Sequence, residues 1–345
     1  MRVKYDPGFA SQPTNQPTAE DIQREKKYWK EHNYMFNKVE ILAGNIGYLA
    51  FNLFVPDIEG AKATIKAALQ FVINTNALII DLRENMGGSP EMVSQFESYF
   101  FKERTHMNDL IDRLKMDTTF LYADPAKSDS MHLSMPVYIL TSQHTFSGAE
   151  DFSYGLQVAK RAVIVGETSG GGAHPQMPFS VGQGFVIYIP FARSINEITG
   201  TDWEGTGVVP EVQTDAKQAL VKAQEHFFNR QLLAATDDKD RRMYLYYINA
   251  LMVESNQERL SKSQLLRMAG CYGGLTIYLE DSKLFCKNDN NGGAVSELKH
   301  IANNLFKLDN QAQIQFNKDD QGRYTNVEIL VNDGSVFIEE KRPNK

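Results

Sequence analysis

The chain has 345 residues, 42% hydrophobic and 23% charged, a balance that excludes a disordered chain, a fibrous one or a mini-protein and leaves room for two ordinary domains. Acidic residues outnumber basic ones, 43 to 36, and the net charge of −7 repels phosphate backbones, so nucleic acid is not an expected partner. No apolar run approaches the roughly 18 residues that a membrane-spanning helix needs.

From residue 1 to 38 the sequence is polar, with Pro7, Pro13 and Pro17 ahead of a charged helical stretch over Glu20 to Lys30, which reads as an approach segment. The opening residues MRVKYDPGFASQPTNQ hold no apolar stretch of the kind a signal peptide requires, so the chain as written carries no export signal. Ile46 to Phe54 alternates and is rich in aromatics, as a strand does, and residues 59–75 follow the helical period. Ala77 to Leu82 is nearly all apolar, the signature of a strand buried on both faces. The pattern recurs as a strand over Val137 to Leu140, a helix from about Ser147 to Lys160, and a strand over Ala162 to Val165. Strands alternating with helices predict an α/β layer architecture with parallel pairing. A helix over 215–232 closes this region, and the charged stretch from Ala235 marks a linker over 236–260. Beyond it, Leu275–Leu279, Lys283–Cys286, Gln313–Phe316 and Val327–Val331 are short alternating strands between Asp, Asn and Gly turns, which predicts a small antiparallel β domain over 261–345. Cys271 and Cys286 lack the spacing of a zinc or redox motif and stand as two free thiols or one bridge.

Four stretches could carry chemistry. Leu140 to Glu150 runs from a buried strand through a turn into a helix, and the carboxyl end of a sheet strand is where open α/β folds place ligands. Ser147 there has helix N–H groups beside it, suited to holding a negative oxygen. The same Ser147-Gly148-Ala149-Glu150 is also a capping box, S-x-x-E, and a serine that only caps a helix fits equally. Gly87 and Gly88, after the buried strand ending at Leu82, permit backbone N–H groups to point into a cleft, or form a plain tight turn. Gly166 to Pro175 lacks the lysine of a P-loop and does not match GxGxxG, so no nucleotide or other cofactor is expected; His174 within it is an acid–base group or a structural loop histidine. Glu204 lies between Trp203 and a glycine turn that leads to Pro210.

Taken in order, the segments KVEILAGNIGYL, LIIDLRENMGGSPEMV, LTSQHTFSGAEDF, VGETSGGGAHP and GTDWEGTGVVPEV resemble the serine peptidase family of tail-specific (C-terminal-processing) proteases, the tricorn core and interphotoreceptor retinoid-binding protein, and most of all its bacterial retinoid-binding-protein-like branch. The resemblance implies a spiral ββα fold of the crotonase and Clp protease class over residues 39–235. It places the nucleophile on Ser147 and the oxyanion hole on the N–H groups of Gly148 and of one glycine of the Gly87-Gly88 pair. The lysine base of tail-specific proteases falls on position 172, which here is Gly172. Tricorn-like members instead use a histidine oriented by a glutamate that matches Glu204. In the retinoid-binding-protein-like branch that histidine precedes a segment reading like LRVRYDP, and this chain begins Met1-Arg2-Val3-Lys4-Tyr5-Asp6-Pro7. The resemblance therefore implies that the histidine, an upstream helical domain and a signal peptide precede Met1, and that the parent protein is exported to the periplasm or cell envelope. His174 is the substitute base within the chain. The expected function is a serine peptidase acting on peptide or unfolded protein through an acyl-enzyme, with no metal; the alternative is a non-catalytic ligand- or peptide-binding module on the same scaffold.

Overall fold

The computed structural model describes residues 2–10, 18–253 and 260–343. It divides into two compact units, Met1–Ala223 and Gln224–Lys345.

The first unit opens with β1 (Arg2–Tyr5), α1 (Pro7–Ala10) and α2 (Ala19–Glu31). Its centre is a six-stranded sheet built from β2 (Phe36–Leu42), β3 (Ile46–Phe51), β4 (Ala77–Asp81), β7 (Val137–Thr141), β8 (Ala162–Gly166) and β12 (Val212–Gln213), in the order β12-β8-β7-β4-β3-β2. All neighbours run parallel except β2 and β3. Every residue of β4 and β7 is buried, which is why those strands read as continuous apolar runs rather than alternating ones. The crossovers between parallel strands are helices: α3 (Ile58–Val72) joins β3 to β4, and α5 (Gly148–Val158) joins β7 to β8. Asp57 caps α3 by accepting the Gly60 N–H, and Ala61, Ile65, Ala68, Leu69 and Val72 form its buried stripe at helical spacing. In α4 (Pro90–Glu97), Ser89 caps the Met92 N–H and Pro90 occupies the first turn. Phe36, Phe51, Phe54, Phe96, Phe100 and Phe152 interlock in the core, adjacent rings 5.0–6.3 Å apart. Truncating one to alanine in a packed core costs about 3–5 kcal/mol.

At the carboxyl end of β4 the Asp81 carboxylate accepts Tyr48 Oη at 2.6 Å and two bonds from the Arg83 guanidinium, Nε at 2.9 Å and Nη2 at 2.5 Å. Arg83 Nη1 also donates to the Ala216 carbonyl at 2.6 Å. Two smaller sheets flank this centre. One orders β11 (Ala192–Asn196), β5 (Thr105–Asp112) and β6 (Asp117–Ala123); the other orders β1, β10 (Phe185–Pro190) and β9 (Gln176–Gly182). The sequence reading assigns no element to β5, β6, β9, β10 or β11. In β9 only Pro178 is even partly buried, so no apolar face marks it, while β5 and β11 turn polar residues inward, Asn108, Ser194 and Asn196, and so carry no apolar alternation.

Residues 215–232 are a 3₁₀ turn, Ala216–Gln218, followed by α6 (Ala219–Ala234), within which the two units divide. The second unit carries α7 (Asp238–Met252), α8 (Lys262–Met268) and two antiparallel sheets of four and five strands. Its core gathers Met268, Tyr272, Leu275, Ile277, Leu284, Ile314, Phe316 and Val327. Both cysteines are free thiols, which settles the choice left open by spacing: Cys271 is exposed, while burial pushes the Cys286 thiol up to about 12. Among the described residues no helix is long and apolar enough to cross a membrane.

Candidate active site

Ser147 stands at the junction of β7 and α5. The turn before it is pinned from several sides: Thr145 Oγ1 donates to the Leu82 carbonyl at 2.8 Å, Ser142 Oγ to the Arg83 carbonyl at 2.5 Å, and the Phe146 N–H to the Asn85 carbonyl at 3.1 Å. So held, Ser147 adopts φ 53° and ψ −120°, a conformation that costs a non-glycine residue about 1–3 kcal/mol. The capping box closes from one side only. Glu150 Oε2 accepts the Ser147 N–H at 2.8 Å, but Ser147 Oγ makes no capping bond, and the Glu150 and Asp151 N–H groups run to the Ser147 carbonyl at 2.8 and 2.9 Å. The hydroxyl is thereby left to other uses than ending the helix.

Glu150 has a larger part than a cap. Fully buried, its carboxylate also accepts Ser169 Oγ at 2.5 Å and the N–H groups of Gly171 at 2.6 Å and Gly172 at 2.8 Å. One buried anion so satisfied ties the serine turn to the glycine loop 169–172. Sequence reasoning missed this residue as anything beyond a cap.

The second glycine pair meets the serine turn directly. A Cβ on Gly87 would lie 2.6 Å from Gly148 N and from the Phe146 carbonyl, and one on Gly148 would lie 3.1 Å from Gly88 N. Both glycines have positive φ, 97° at Gly87 and 129° at Gly88. Buried Asn85 separates their roles: its Oδ1 accepts the Gly87 N–H at 2.8 Å, whereas the N–H groups of Gly88 and Gly148 have no acceptor among the described residues. Two uncommitted N–H groups beside a serine hydroxyl can hold an oxygen that acquires negative charge.

Ser147, Gly88, Gly148, Gly172, Ala173 and Trp203 are among the residues lining one cavity of about 250 Å³. Gly172 leaves no room for a side chain, since a Cβ there would sit 2.1 Å from the Phe146 ring. Glu204 and His174 are brought to each other, but neither is among the cavity's lining residues. Glu204 Oε2 accepts the N–H groups of Ala173 at 2.8 Å and His174 at 3.0 Å. The His174 ring lies between two carboxylates, Nε2 3.1 Å from Asp202 Oδ2 and Nδ1 3.8 Å from Glu204 Oε2.

A strained serine after a parallel strand, beside two free glycine N–H groups at the wall of a cavity in a mixed α/β sheet domain, has the features of a hydrolase site. Residues 45–214 match the model of Peptidase family S41. The chain is similar to the chloroplastic carboxyl-terminal-processing peptidase 2 of Arabidopsis thaliana, 27% identical over 169 residues, which covers 48% of this chain and 31% of that protein. It thus spans about a third of the length of this curated relative. Among solved structures it is similar to the photosystem II D1 C-terminal processing protease, with 23% identity, a TM-score of 0.41 and coverage of 50% of this chain and 43% of that one. An S41 protease from Bacteroides fragilis gives 21% identity, a TM-score of 0.45 and coverage of 54% and 52%.

Proposed function

We propose that the chain hydrolyses peptide bonds through an acyl-enzyme on Ser147. The observation that carries this reading is the pair of uncommitted N–H groups, Gly88 and Gly148, beside a serine whose hydroxyl takes no part in capping its helix. Ser147 Oγ attacks the substrate carbonyl and gives its proton to a base; the carbonyl oxygen becomes an oxyanion held by Gly88 and Gly148; the base then protonates the leaving amine, and water releases the acyl group by the same route. Gly87, its N–H committed to Asn85, acts by shape, admitting the close approach of the serine turn.

The base in this proposal is a histidine oriented by Glu204 and contributed by the D-x-H segment that the retinoid-binding-protein-like branch carries ahead of its LRVRYDP-like stretch, in an exported parent protein with a spiral ββα core. Against a lysine in its place stands the Phe146 ring at position 172. Against His174 stand the Asp202 carboxylate, which engages ring Nε2 at 3.1 Å, and its place outside the residues that line the cavity. The substrate class is peptide or unfolded protein.

The test is a fluorophosphonate probe on the chain and on a version extended upstream through the D-x-H segment, followed by hydrolysis of an unfolded protein. Labelling that Ser147→Ala abolishes, with turnover rising on extension, is expected; general-base assistance is worth about 10²–10⁴-fold in rate. Equal turnover by both would put the base within residues 1–345 and make His174 its leading candidate. A second reading, a non-catalytic ligand- or peptide-binding module, is favoured by one observation: the residues lining the cavity include no histidine or lysine. No labelling in either version would select it.

A further inference from the structure

The cavity beside Ser147 also has an acidic wall. Its lining includes Asp151 of α5, Asn108 of β5 and Ser194 of β11, with Glu91 of α4 as a second carboxylate, and no lysine, arginine or histidine. Asp151 follows Ser147 by one helical turn, on the same side of α5. It is only 7% exposed and makes no ion pair among the described residues. Its one polar neighbour of use is the Asn108 side chain, and Asn108 Nδ2 also reaches Ser194 Oγ at 3.3 Å. Another acid, Glu97 of α4, is fully buried and electrostatically linked to it, with Oε1 lacking any hydrogen-bond partner.

A carboxylate buried beside another acid and without a cation is a costly arrangement, and it repels negative or purely apolar occupants by deepening its own desolvation. Burial accordingly lifts the Asp151 carboxyl to about 7. An ammonium or guanidinium entering the cavity reverses the balance, because it supplies the missing counter-charge where water is already thin. The three- or four-carbon stem of such a side chain would lie along Leu110, Leu121 and Phe191, which also line the cavity.

We propose that this cavity receives a basic side chain, lysine or arginine, from the substrate residue whose carbonyl Ser147 attacks, with Asp151 as its counter-ion and specificity-determining residue. The inference rests on the reading of Ser147 as nucleophile and adds the substrate class to it.

The test measures binding, so it does not depend on turnover. Fluorescent peptides that differ only in a carboxyl-terminal lysine, arginine, glutamine or norleucine are titrated into the 345-residue chain at about pH 8, where a carboxyl with a pKa near 7 is ionised. The lysine and arginine peptides should bind at least about 10-fold more tightly than the norleucine peptide, and Asp151→Asn should bring all four within about twofold of one another. The asparagine variant removes a buried charge without changing shape, so its melting temperature should not fall, and retained norleucine binding shows that the cavity is intact. Norleucine binding as tight as lysine, or a preference that survives Asp151→Asn, overturns the proposal. Fluorophosphonate labelling of the same chain and of the version extended upstream separates the two levels: Ser147 labelled in either version without any basic preference sinks this inference alone, whereas no binding together with no labelling in either version sinks the nucleophile reading with it.

Discussion

The Phe146 ring occupies the space that any side chain at Gly172 would need: a Cβ built on Gly172 meets ring Cζ at 2.1 Å and Cε2 at 2.4 Å. Phe146 is 41% exposed and sits next to Ser147, so the ring can be pushed outward, but only by disturbing the serine turn. Gly172→Ala should therefore destabilise by about 1–3 kcal/mol. Phe146→Ala should remove most of that cost, giving a coupling energy of about 1 kcal/mol or more in a double-mutant cycle followed by urea unfolding. Additive effects would show that the two residues do not compete for one space.

Glu150 gathers donors from Ser147, Ser169, Gly171 and Gly172. Glu150→Gln keeps the shape but turns an amide NH₂ toward groups that are themselves donors. We expect a loss of about 3 kcal/mol or more in unfolding free energy, together with slower fluorophosphonate labelling of Ser147. A variant as stable as the parent would show that the carboxylate's charge is dispensable.

Glu97 and Asp151 set a pH dependence whose sign is fixed. Burial raises both carboxyls, Glu97 well above its ordinary value and Asp151 to about 7, and the charge of Asp151 adds to the rise at Glu97; the Asn108 side chain opposes it at Asp151. Between about pH 4 and pH 7 the folded chain then holds protons that the unfolded chain has released, so stability falls as pH rises through that window. Chemical unfolding at a series of pH values should show the decline, and Asp151→Asn with Glu97→Gln should flatten it. A rise in stability across the same window, beyond what the double variant shows, would contradict the assignment.

The backbone of Ser147 suits glycine better than serine, at φ 53° and ψ −120°. Ser147→Gly should be more stable than Ser147→Ala by about 1 kcal/mol, because only glycine escapes the strain, even after the extra freedom it gives the unfolded chain. Both should fail to take up a fluorophosphonate. If alanine proved the more stable of the two, the turn would not be carrying strain.

How much of this was legible in sequence varies with where each interaction comes from. Strands β4, β7 and β8 announce themselves because burial on both faces leaves nearly continuous apolar runs, and α3 and α5 follow because their stripes have the helical period. Strand β9 was invisible for the converse reason, being almost wholly solvated, and β5 and β11 because positions they bury hold polar Asn108, Ser194 and Asn196. At the site, the serine and the glycine pairs could be picked out by type and order. The choice between Gly87 and Gly88 could not, since it depends on which N–H the Asn85 side-chain Oδ1 takes. Glu150 was legible only as half of a local capping box, because three of its four donors lie 19–22 residues onward and reach it through the fold. Asp151 reads in sequence as an ordinary acid in the first turn of a helix; only burial and the absence of a neighbouring cation give it another meaning.

The reach of Arg83 bears on where this domain can be cut. Its guanidinium is shared between Asp81, at the end of a central strand, and the Ala216 carbonyl, 133 positions later. The Ala216 N–H is held in turn by Glu167 Oε1 at 3.2 Å. A fragment trimmed back to the last residue of β11 would keep the serine, both glycine pairs and the sheet's middle, yet would strand a half-buried cation and lose the short strand β12 that closes the sheet's edge beside β8. A piece that keeps this clasp therefore extends through residue 216, past every residue that lines the cavity, so the contact that secures the end of the central strand is made by chain beyond the cavity itself.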